Sequence, residues 1–248
     1  MRGTLIRLGL AATGLVYVAM GVVSARVAFL GARNREQGVP GALRFLLEQP
    51  YGPYVLGAVV AGLIGVALVH GVESATGRRG VAARVGLAVN AIGYAALAWT
   101  SARLLFHLGR GGGASERDSI AWLLGVPGGA VALEVVGAAV IAGGAWEAYQ
   151  GIRGSWSAGR RLPRRLGRIL SAVARFGLVA RGLVLAALGY FLIRAAEEAD
   201  PARARTLGGV LRSFSRTALG PGFVGVVALG LAAYGMQLWA LALLKRRV

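Results

Sequence analysis

The residues most able to do chemistry in this sequence are ionisable side chains that interrupt long apolar stretches. Arg181 lies within the apolar residues 170–196, and Glu147 lies within 130–151. A charge surrounded by hydrocarbon is costly unless an opposite charge compensates it, and such residues often line ion or substrate paths. We therefore expect Arg181 to pair with an acid, with Glu147 as the first choice and Glu73 as the second.

Several other polar residues fall at a similar depth within their apolar stretches. Thr13, Asn90 and Arg181 each follow an arginine by six residues, which places them about 9 Å inside at a rise of about 1.5 Å per residue. We predict a polar layer in the cytoplasmic half of the membrane, to which several helices contribute. Its predicted members are Arg181, Glu147, Glu73, His70, Asn90, Thr13 and Gln237.

Three interpretations of this layer stay open at the level of sequence. It is a buried pairing that fixes how the helices pack, a polar vestibule or proton-linked ion path, or a set of side chains that reach the interface. Glu134 is separate, because it falls in the opposite half of the membrane and has no counterpart in the other stretches. We interpret it as an isolated intramembrane acid that bonds a neighbouring helix, is protonated, or serves transport.

The side chains that most enzymes need are scarce. The sequence has no cysteine, and its two histidines, His70 and His107, fall on opposite sides of the predicted membrane. Metal sites and nucleophilic catalysis need cysteine, or clustered histidine and carboxylate groups, and no phosphate-binding loop motif is present. We therefore expect no metal, no cofactor and no enzymatic activity, with a membrane enzyme as the weakest alternative.

The elements that position these residues follow from the composition. Of 248 residues, 56% are hydrophobic and 15% are charged, well below the roughly 25% charged residues of soluble domains. A membrane helix needs about 20 apolar residues, and six stretches qualify. These predicted spans are Leu5–Leu30, Tyr54–Ser74, Val81–Leu108, Ala130–Gly151, Leu170–Ala196 and Phe223–Leu244. On the second span, Gly57, Ala61 and Gly65 recur every fourth residue and predict a small-residue packing face.

The distribution of the net charge of +18 predicts the orientation. Fifteen basic residues and no acid fall on the side that holds both termini, against 12 arginines and seven acids in the opposite connections. Basic residues are enriched on the cytoplasmic side of membrane proteins, so we expect both termini there. The basic segment Arg160–Arg168 then contacts anionic lipid, and we expect no nucleic-acid partner.

One sequence unit occurs three times. Arg7-Leu8-Gly9-Leu10 reappears 77 residues later as Arg84-Val85-Gly86-Leu87, and a further 91 residues later as Arg175-Phe176-Gly177-Leu178. We predict an all-α, integral membrane six-helix bundle made of three tandem two-helix repeats, with a pseudo-threefold axis along the membrane normal. The predicted parts of this single domain are repeat one (1–77), repeat two (78–154), a cytoplasmic basic loop (155–169) and repeat three (170–248).

Each repeat carries two arginines that are 19 residues apart. At the helical rise this separation is about 28 Å, close to the thickness of the hydrocarbon layer. The simpler interpretation is that the six residues anchor helices to lipid phosphate, and the sharper one is a lipid headgroup site between repeats. The pairs are Arg7 with Arg26, Arg84 with Arg103, and Arg175 with Arg194.

The outer connections each contain a short apolar segment, at 42–47, 119–124 and 210–214. Two interpretations are equally open. The segments form one or two helical turns along the membrane interface, or they are loops packed on the ends of the spans.

The repeated motifs resemble those of a known family. Each copy has arginine, any residue and glycine, and an arginine at the far end of the helix. Gly-Leu-Val follows a small residue, Thr13, in the first copy, and the third copy has Ala180-Arg181-Gly182-Leu183-Val184. Gly41-Ala42-Leu43-Arg44 and Gln49-Pro50-Tyr51-Gly52 follow in the first copy. The sequence resembles the bacterial six-span family known as domain of unknown function 1206. Thr13 and Asn90 stand where the third copy has Arg181.

This resemblance implies a fold and a location, because the family lends no activity and no functional residue. We expect a multi-pass protein of the bacterial cytoplasmic membrane. The function that we predict is structural or accessory, without catalysis, through binding of lipid or of a membrane-protein partner, including a second copy. The alternative is a small transporter or channel that uses the polar layer.

Overall fold

The computed structural model describes residues 2–30, 38–76, 80–106, 120–154, 164–199 and 220–244. Within these ranges the chain forms seven helices and a further helical stretch at 120–124. The helices are α1 (Arg2–Leu30), α2 (Gly38–Leu47), α3 (Gly52–Thr76), α4 (Val81–Leu105), α5 (Gly129–Arg153), α6 (Arg164–Glu197) and α7 (Gly220–Leu244).

Five of the described helices are long and apolar enough to cross a membrane. The qualifying segments are Gly3–Leu30, Gly52–Thr76, Gly129–Arg153, Gly167–Glu197 and Gly222–Leu243. The third predicted span corresponds to α4. This helix is as long as α3 and α5, at 25 residues each, but it is not among the segments that are apolar enough to qualify. The predicted all-α membrane fold is confirmed, and the chain is a multi-pass helical membrane protein.

Helix occurs in both of the connections predicted to be outer whose apolar segments the structure describes. α2 covers the first predicted segment, and residues 120–124 cover most of the second, while 210–214 lies outside the described residues. After each of these two, one residue with a left-handed backbone precedes the next long helix, Tyr51 at φ 65° and Gly128 at φ 79°. These two positions are 77 residues apart, so the repeat extends to the turn that starts the second helix.

The chain divides into two compact units. The first contains Met1–Val16, Leu43–Gly109 and Leu238–Val248, and the second contains Tyr17–Ala42 and Arg110–Gln237. In the first unit α3 packs against α4, and in the second α5 packs against α6. The repeat boundaries and the pseudo-threefold axis stay predictions.

The α5–α6 contact is made largely by glycine. A Cβ atom on Gly144 would lie 2.5 Å from the carbonyl oxygen of Gly182, and one on Gly189 would lie 2.5 Å from that of Gly137. Side chains at these positions would therefore force the helices apart, and their absence lets the two backbones touch. We call these residues, together with Gly151, the glycine seam. Its spacing of seven residues is typical of helices that cross at a small angle.

Close packing of a similar kind recurs within repeats one and three. A Cβ atom on Gly62 would lie 3.0 Å from Ala12 Cβ, and one on Gly177 would lie 2.5 Å from the backbone nitrogen of Tyr234. The predicted small-residue face of α3 is partly wrong. Gly65 is buried, but Ala61 is exposed. Gly62, one position after Ala61, is buried instead and packs against α1.

Candidate functional site

Arg181 and Glu147 form an ion pair between α6 and α5. The glycine seam positions both, because Arg181 directly precedes Gly182 and Glu147 follows Gly144 by three residues. Where Gly144 and Gly182 touch, the neighbouring side chains on the same edge of the two antiparallel helices come within reach of each other. Both side chains are mostly buried, with 21% of the arginine and 24% of the glutamate exposed.

Two tyrosines complete the surroundings of the Arg181 guanidinium. Its Nε donates a hydrogen bond of 2.8 Å to the hydroxyl oxygen of Tyr17 on α1. Its Cζ lies 5.5 Å from the ring centroid of Tyr17 and 4.9 Å from that of Tyr234 on α7. The two rings contact each other edge to face at 4.8 Å. Cation–π attraction to aromatic rings strengthens when water is excluded. The site therefore joins four helices, namely α6, which carries the arginine, and α1, α5 and α7, which contact it.

Two buried polar atoms of the predicted layer in the second unit lack a hydrogen-bond partner among the described residues. They are Oε2 of Glu147 and Oε1 of Gln237, whose side chain belongs to a residue only 6% exposed. Gln237 follows Tyr234 by three residues on α7, and so it lies on the same side of that helix. Both atoms are acceptors, so water or another hydrogen-bond donor would satisfy them.

Thr13 and Asn90 occupy the positions equivalent to Arg181 in repeats one and two, and both bond to their own helix. Thr13 Oγ1 donates to the carbonyl of Gly9 at 2.8 Å, and Asn90 Nδ2 donates to that of Gly86 at 2.9 Å. Thr13 is buried, whereas Asn90 is exposed. A polar side chain that bonds the carbonyl four residues back is satisfied locally, so neither position needs a partner helix.

The remaining predicted polar residues are partly buried at separate places. The His70 ring on α3 lies 5.6 Å from the Tyr94 ring on α4 in the first unit, and Glu73 lies about one turn further along α3. Glu134 on α5 makes no hydrogen bond or ion pair within the described part of the chain. No group of three metal-binding side chains occurs among the described residues.

The three arginines that begin the repeats each meet the last helix of another repeat, which for Arg7 is α7 of the third repeat. Arg84 Nε donates to the carbonyl of Ser74 at 2.7 Å, and Arg7 Nε donates to that of Ala242 at 2.9 Å. At the third junction a Cβ atom on Gly151 would lie 2.9 Å from the carbonyl oxygen of Arg175. Residues 74, 151 and 242 are equivalent in the repeat, so the three contacts fall at one common repeat position.

The three distal arginines differ among themselves. Arg194 pairs with Glu197 on its own helix at 3.6 Å, and also with Glu198. Arg26 is exposed, and Arg103 is partly buried. The three distal arginines therefore differ in their exposure.

Sequence reasoning missed both tyrosines of the Arg181 site. A signal was present for Tyr17, because Tyr94 repeats it 77 residues later within an otherwise apolar span. Tyr234 has no such counterpart, since Val66 and Gly143 occupy its equivalent positions. Only the packing of α1 and α7 against α6 reveals that both rings serve one guanidinium.

These observations define a class of protein, a multi-pass helical membrane protein with repeated inter-repeat contacts. The family described as Domain of Unknown Function (DUF1206) matches residues 8–77, 85–154 and 176–245. The chain belongs to this family, and the three matches confirm the predicted three tandem copies and the resemblance. It is 31% identical over 240 residues to Uncharacterized protein YxxB of Bacillus subtilis (strain 168), covering 93% of this chain and 86% of that protein. No solved structure matches the chain.

Proposed function

We propose that the protein is a non-enzymatic integral membrane protein with a structural or accessory role, which binds membrane lipid or a partner membrane protein. The observation that carries this proposal is that the Arg181 guanidinium has its bonding partners within the chain. Its guanidinium bonds Glu147 and Tyr17 and lies beside the rings of Tyr17 and Tyr234. A charge satisfied within its own chain fixes helix packing and leaves little for a substrate to replace.

The outer surface of α5 supports the binding part of the proposal. Val131 and Val135 are each 62% exposed, Val136 is 49% exposed and Trp146 is 61% exposed. Small and branched apolar side chains on a membrane helix suit contact with lipid chains or with another helix. No described residue covers this surface, so lipid or a partner protein would do so.

A transport measurement tests this proposal. The purified protein is reconstituted into vesicles that contain a proton-sensitive or chloride-sensitive dye, and an ion gradient is applied. We expect the same flux as in protein-free vesicles. Flux that the intact protein supports and the Arg181→Ala variant abolishes would overturn the proposal.

A small transporter or channel is the second candidate, and the two unpartnered acceptors favour it. Glu147 Oε2 and Gln237 Oε1 are buried polar atoms that water or a transported species would satisfy. If this candidate holds, Gln237→Leu should reduce the flux while leaving the protein folded. Ala240→Leu, about one turn further on α7, is the control for added bulk.

We further propose that the protein lies in the bacterial cytoplasmic membrane with both termini in the cytoplasm, as the distribution of arginine indicates. The chain has no cysteine, so single introduced cysteines report topology without a background. Arg161→Cys should resist a membrane-impermeant thiol reagent in intact cells, and Trp122→Cys should react. The reverse pattern would invert the orientation.

A further inference from the structure

The three arginines that begin the repeats are equivalent in sequence but differ in their bonds. Arg7 donates to one carbonyl of α7, and Arg84 donates to carbonyls of Ser74 and Ala75 on α3. Arg175 is exposed and makes no hydrogen bond or ion pair with a described residue. Two junctions therefore use this arginine to satisfy backbone carbonyls at a helix end, and the third does not.

Arg175 lies at the C-terminus of α5 without bonding a described carbonyl there. Gly154 caps α5 in the left-handed conformation at φ 67°, and its N–H donates to the carbonyl of Gln150 at 3.0 Å. The Arg175 side chain lies directly against Gly154, where a Cβ atom would collide with its guanidinium. The helix is thus closed by its own backbone, and the guanidinium rests at the residue that follows Arg153.

Arg153 adds a second cation at the same helix end. Its guanidinium lies 4.9 Å from the ring centroid of Tyr149, and that ring stacks on Trp146 at 5.7 Å. Arg153 is exposed, and no described carboxylate pairs with it. Thr76 and Leu244 occupy the equivalent positions in the other repeats, so among the described residues a second arginine at this position occurs at the end of α5 alone.

The surroundings of these two arginines are basic and lie at the end of membrane-length helices. α6 begins about three turns before Arg175, and the exposed Arg168 lies seven residues before Arg175 on the same face. Trp146 and Tyr149 are 61% and 42% exposed, as expected for an aromatic belt at the membrane interface. Exposed cations at one helix end, with no described carboxylate beside them, attract an anion from outside the chain.

We infer that Arg153 and Arg175, at the α5–α6 end, bind the phosphate of an anionic glycerophospholipid. Guanidinium groups donate paired hydrogen bonds to phosphate oxygens, and the stacked rings hold Arg153 in place. Trp146 and Tyr149 would then contact the glycerol and upper acyl region of the same lipid. This inference rests on the proposed lipid-binding function and gives that function a headgroup class and a site.

The test measures thermal unfolding of the full chain in detergent, titrated with dioctanoyl phosphatidylglycerol, dioctanoyl phosphatidylcholine or inorganic phosphate. For the natural protein we expect phosphatidylglycerol to raise Tm by about 3–6 °C more than phosphatidylcholine. The double variant Arg153→Gln/Arg175→Gln should bind phosphatidylglycerol about thirtyfold more weakly, because each interfacial arginine contributes to attraction of anionic lipid.

The matched control removes the same charge at the equivalent junctions. Arg7→Gln/Arg84→Gln should lower stability in the absence of lipid but keep the preference for phosphatidylglycerol. If the first double variant does not fold, Arg153→Gln alone, at an exposed helix end, should still weaken binding about fivefold.

Three results would overturn the inference, and they are distinguishable. Equal phosphatidylglycerol binding by the natural protein and the Arg153/Arg175 variants would reject this site while leaving lipid binding intact. No stabilisation of the natural protein by either lipid would reject lipid binding itself. Full stabilisation by inorganic phosphate would show that the site takes free phosphate and does not require a lipid.

Discussion

The α3–α4 and α5–α6 pairs are equivalent in the repeat, yet they pack differently. The glycine seam brings α5 and α6 into backbone contact, and it places Arg181 beside Glu147. In α3–α4 the positions equivalent to this ion pair hold Asn90, which bonds its own helix, and His70, which lies beside an aromatic ring. The seam glycines are replaced there by Val60, Ala67, Ser74, Ala91 and Ala98.

The charged pair and the glycine contact occur together in α5–α6, and both are missing at the equivalent described positions of α3–α4. Two helices that touch through glycine exclude water and lipid from the side chains at the edge of the contact. An arginine in that place must find its acid in the opposite helix, whereas an asparagine can bond the carbonyl four residues back. Closer helices therefore carry the stronger electrostatic pairing.

Breaking the ion pair should change the free energy of unfolding most. Arg181→Ala should lower the free energy of unfolding by about 3–5 kcal/mol, because it leaves the mostly buried Glu147 carboxylate without its partner. Asn90→Ala, at the equivalent exposed position of repeat two, should change it by no more than about 0.5 kcal/mol. Thermal unfolding in detergent measures both. Strictly additive losses for Arg181→Ala and Glu147→Ala would contradict direct coupling.

A substitution within the glycine seam should have the next largest effect on the free energy of unfolding. Gly144→Ala should lower the free energy of unfolding by about 1–3 kcal/mol, since the new Cβ would lie 2.5 Å from the Gly182 carbonyl oxygen. Gly143→Ala makes the same change one residue earlier, where nothing lies within 4 Å. We expect that control to be neutral or slightly stabilising, in line with helix propensity. Equal losses for the two variants would refute the backbone contact.

Removing the Tyr17 hydroxyl should lower the free energy of unfolding by a smaller amount. Tyr17→Phe keeps the ring beside Arg181 but removes the hydrogen bond that its hydroxyl accepts, with an expected cost of about 1.5 kcal/mol. Tyr54→Phe is the control, because that side chain is 79% exposed. If both changes leave Tm unaltered, the ring alone holds the guanidinium.

We expect the smallest change in the free energy of unfolding at the two arginines that begin repeats two and three. In lipid-free detergent, Arg84→Gln should cost about 0.5–1 kcal/mol, because it removes donors to carbonyls at the negative end of α3. Arg175→Gln should cost less, since it bonds no described carbonyl. A larger loss at Arg175, measured by the same thermal unfolding, would place it among the structural arginines.

Sequence periodicity predicted the elements well because lipid imposes one strong requirement. Long apolar stretches separated by proline and arginine leave little choice except membrane helices. The repeat was visible in Arg7, Arg84 and Arg175, whose spacing the family matches reproduce. The choice of Glu147 for Arg181 came from depth along each helix, which a fixed rise per residue makes countable.

The tertiary contacts were harder to predict. Depth along a helix does not give rotation about its axis, so the sequence alone does not show that Asn90 lies on an exposed face while Arg181 is mostly buried. The common role of Tyr17 and Tyr234 depends on how α1 and α7 pack against α6. The different bonding of Arg84 and Arg175 depends on where each guanidinium lies at the end of the neighbouring helix, which similar arginine motifs do not reveal.

The glycine seam also limits how this sequence can vary. At Gly144 and Gly182 the neighbouring group is a main-chain carbonyl, which cannot be exchanged for a smaller one. No compensating substitution on the facing helix can therefore make room for a side chain there. Across natural variants, these two positions should keep glycine independently of each other, while Arg181 and Glu147 should be lost or retained as a pair.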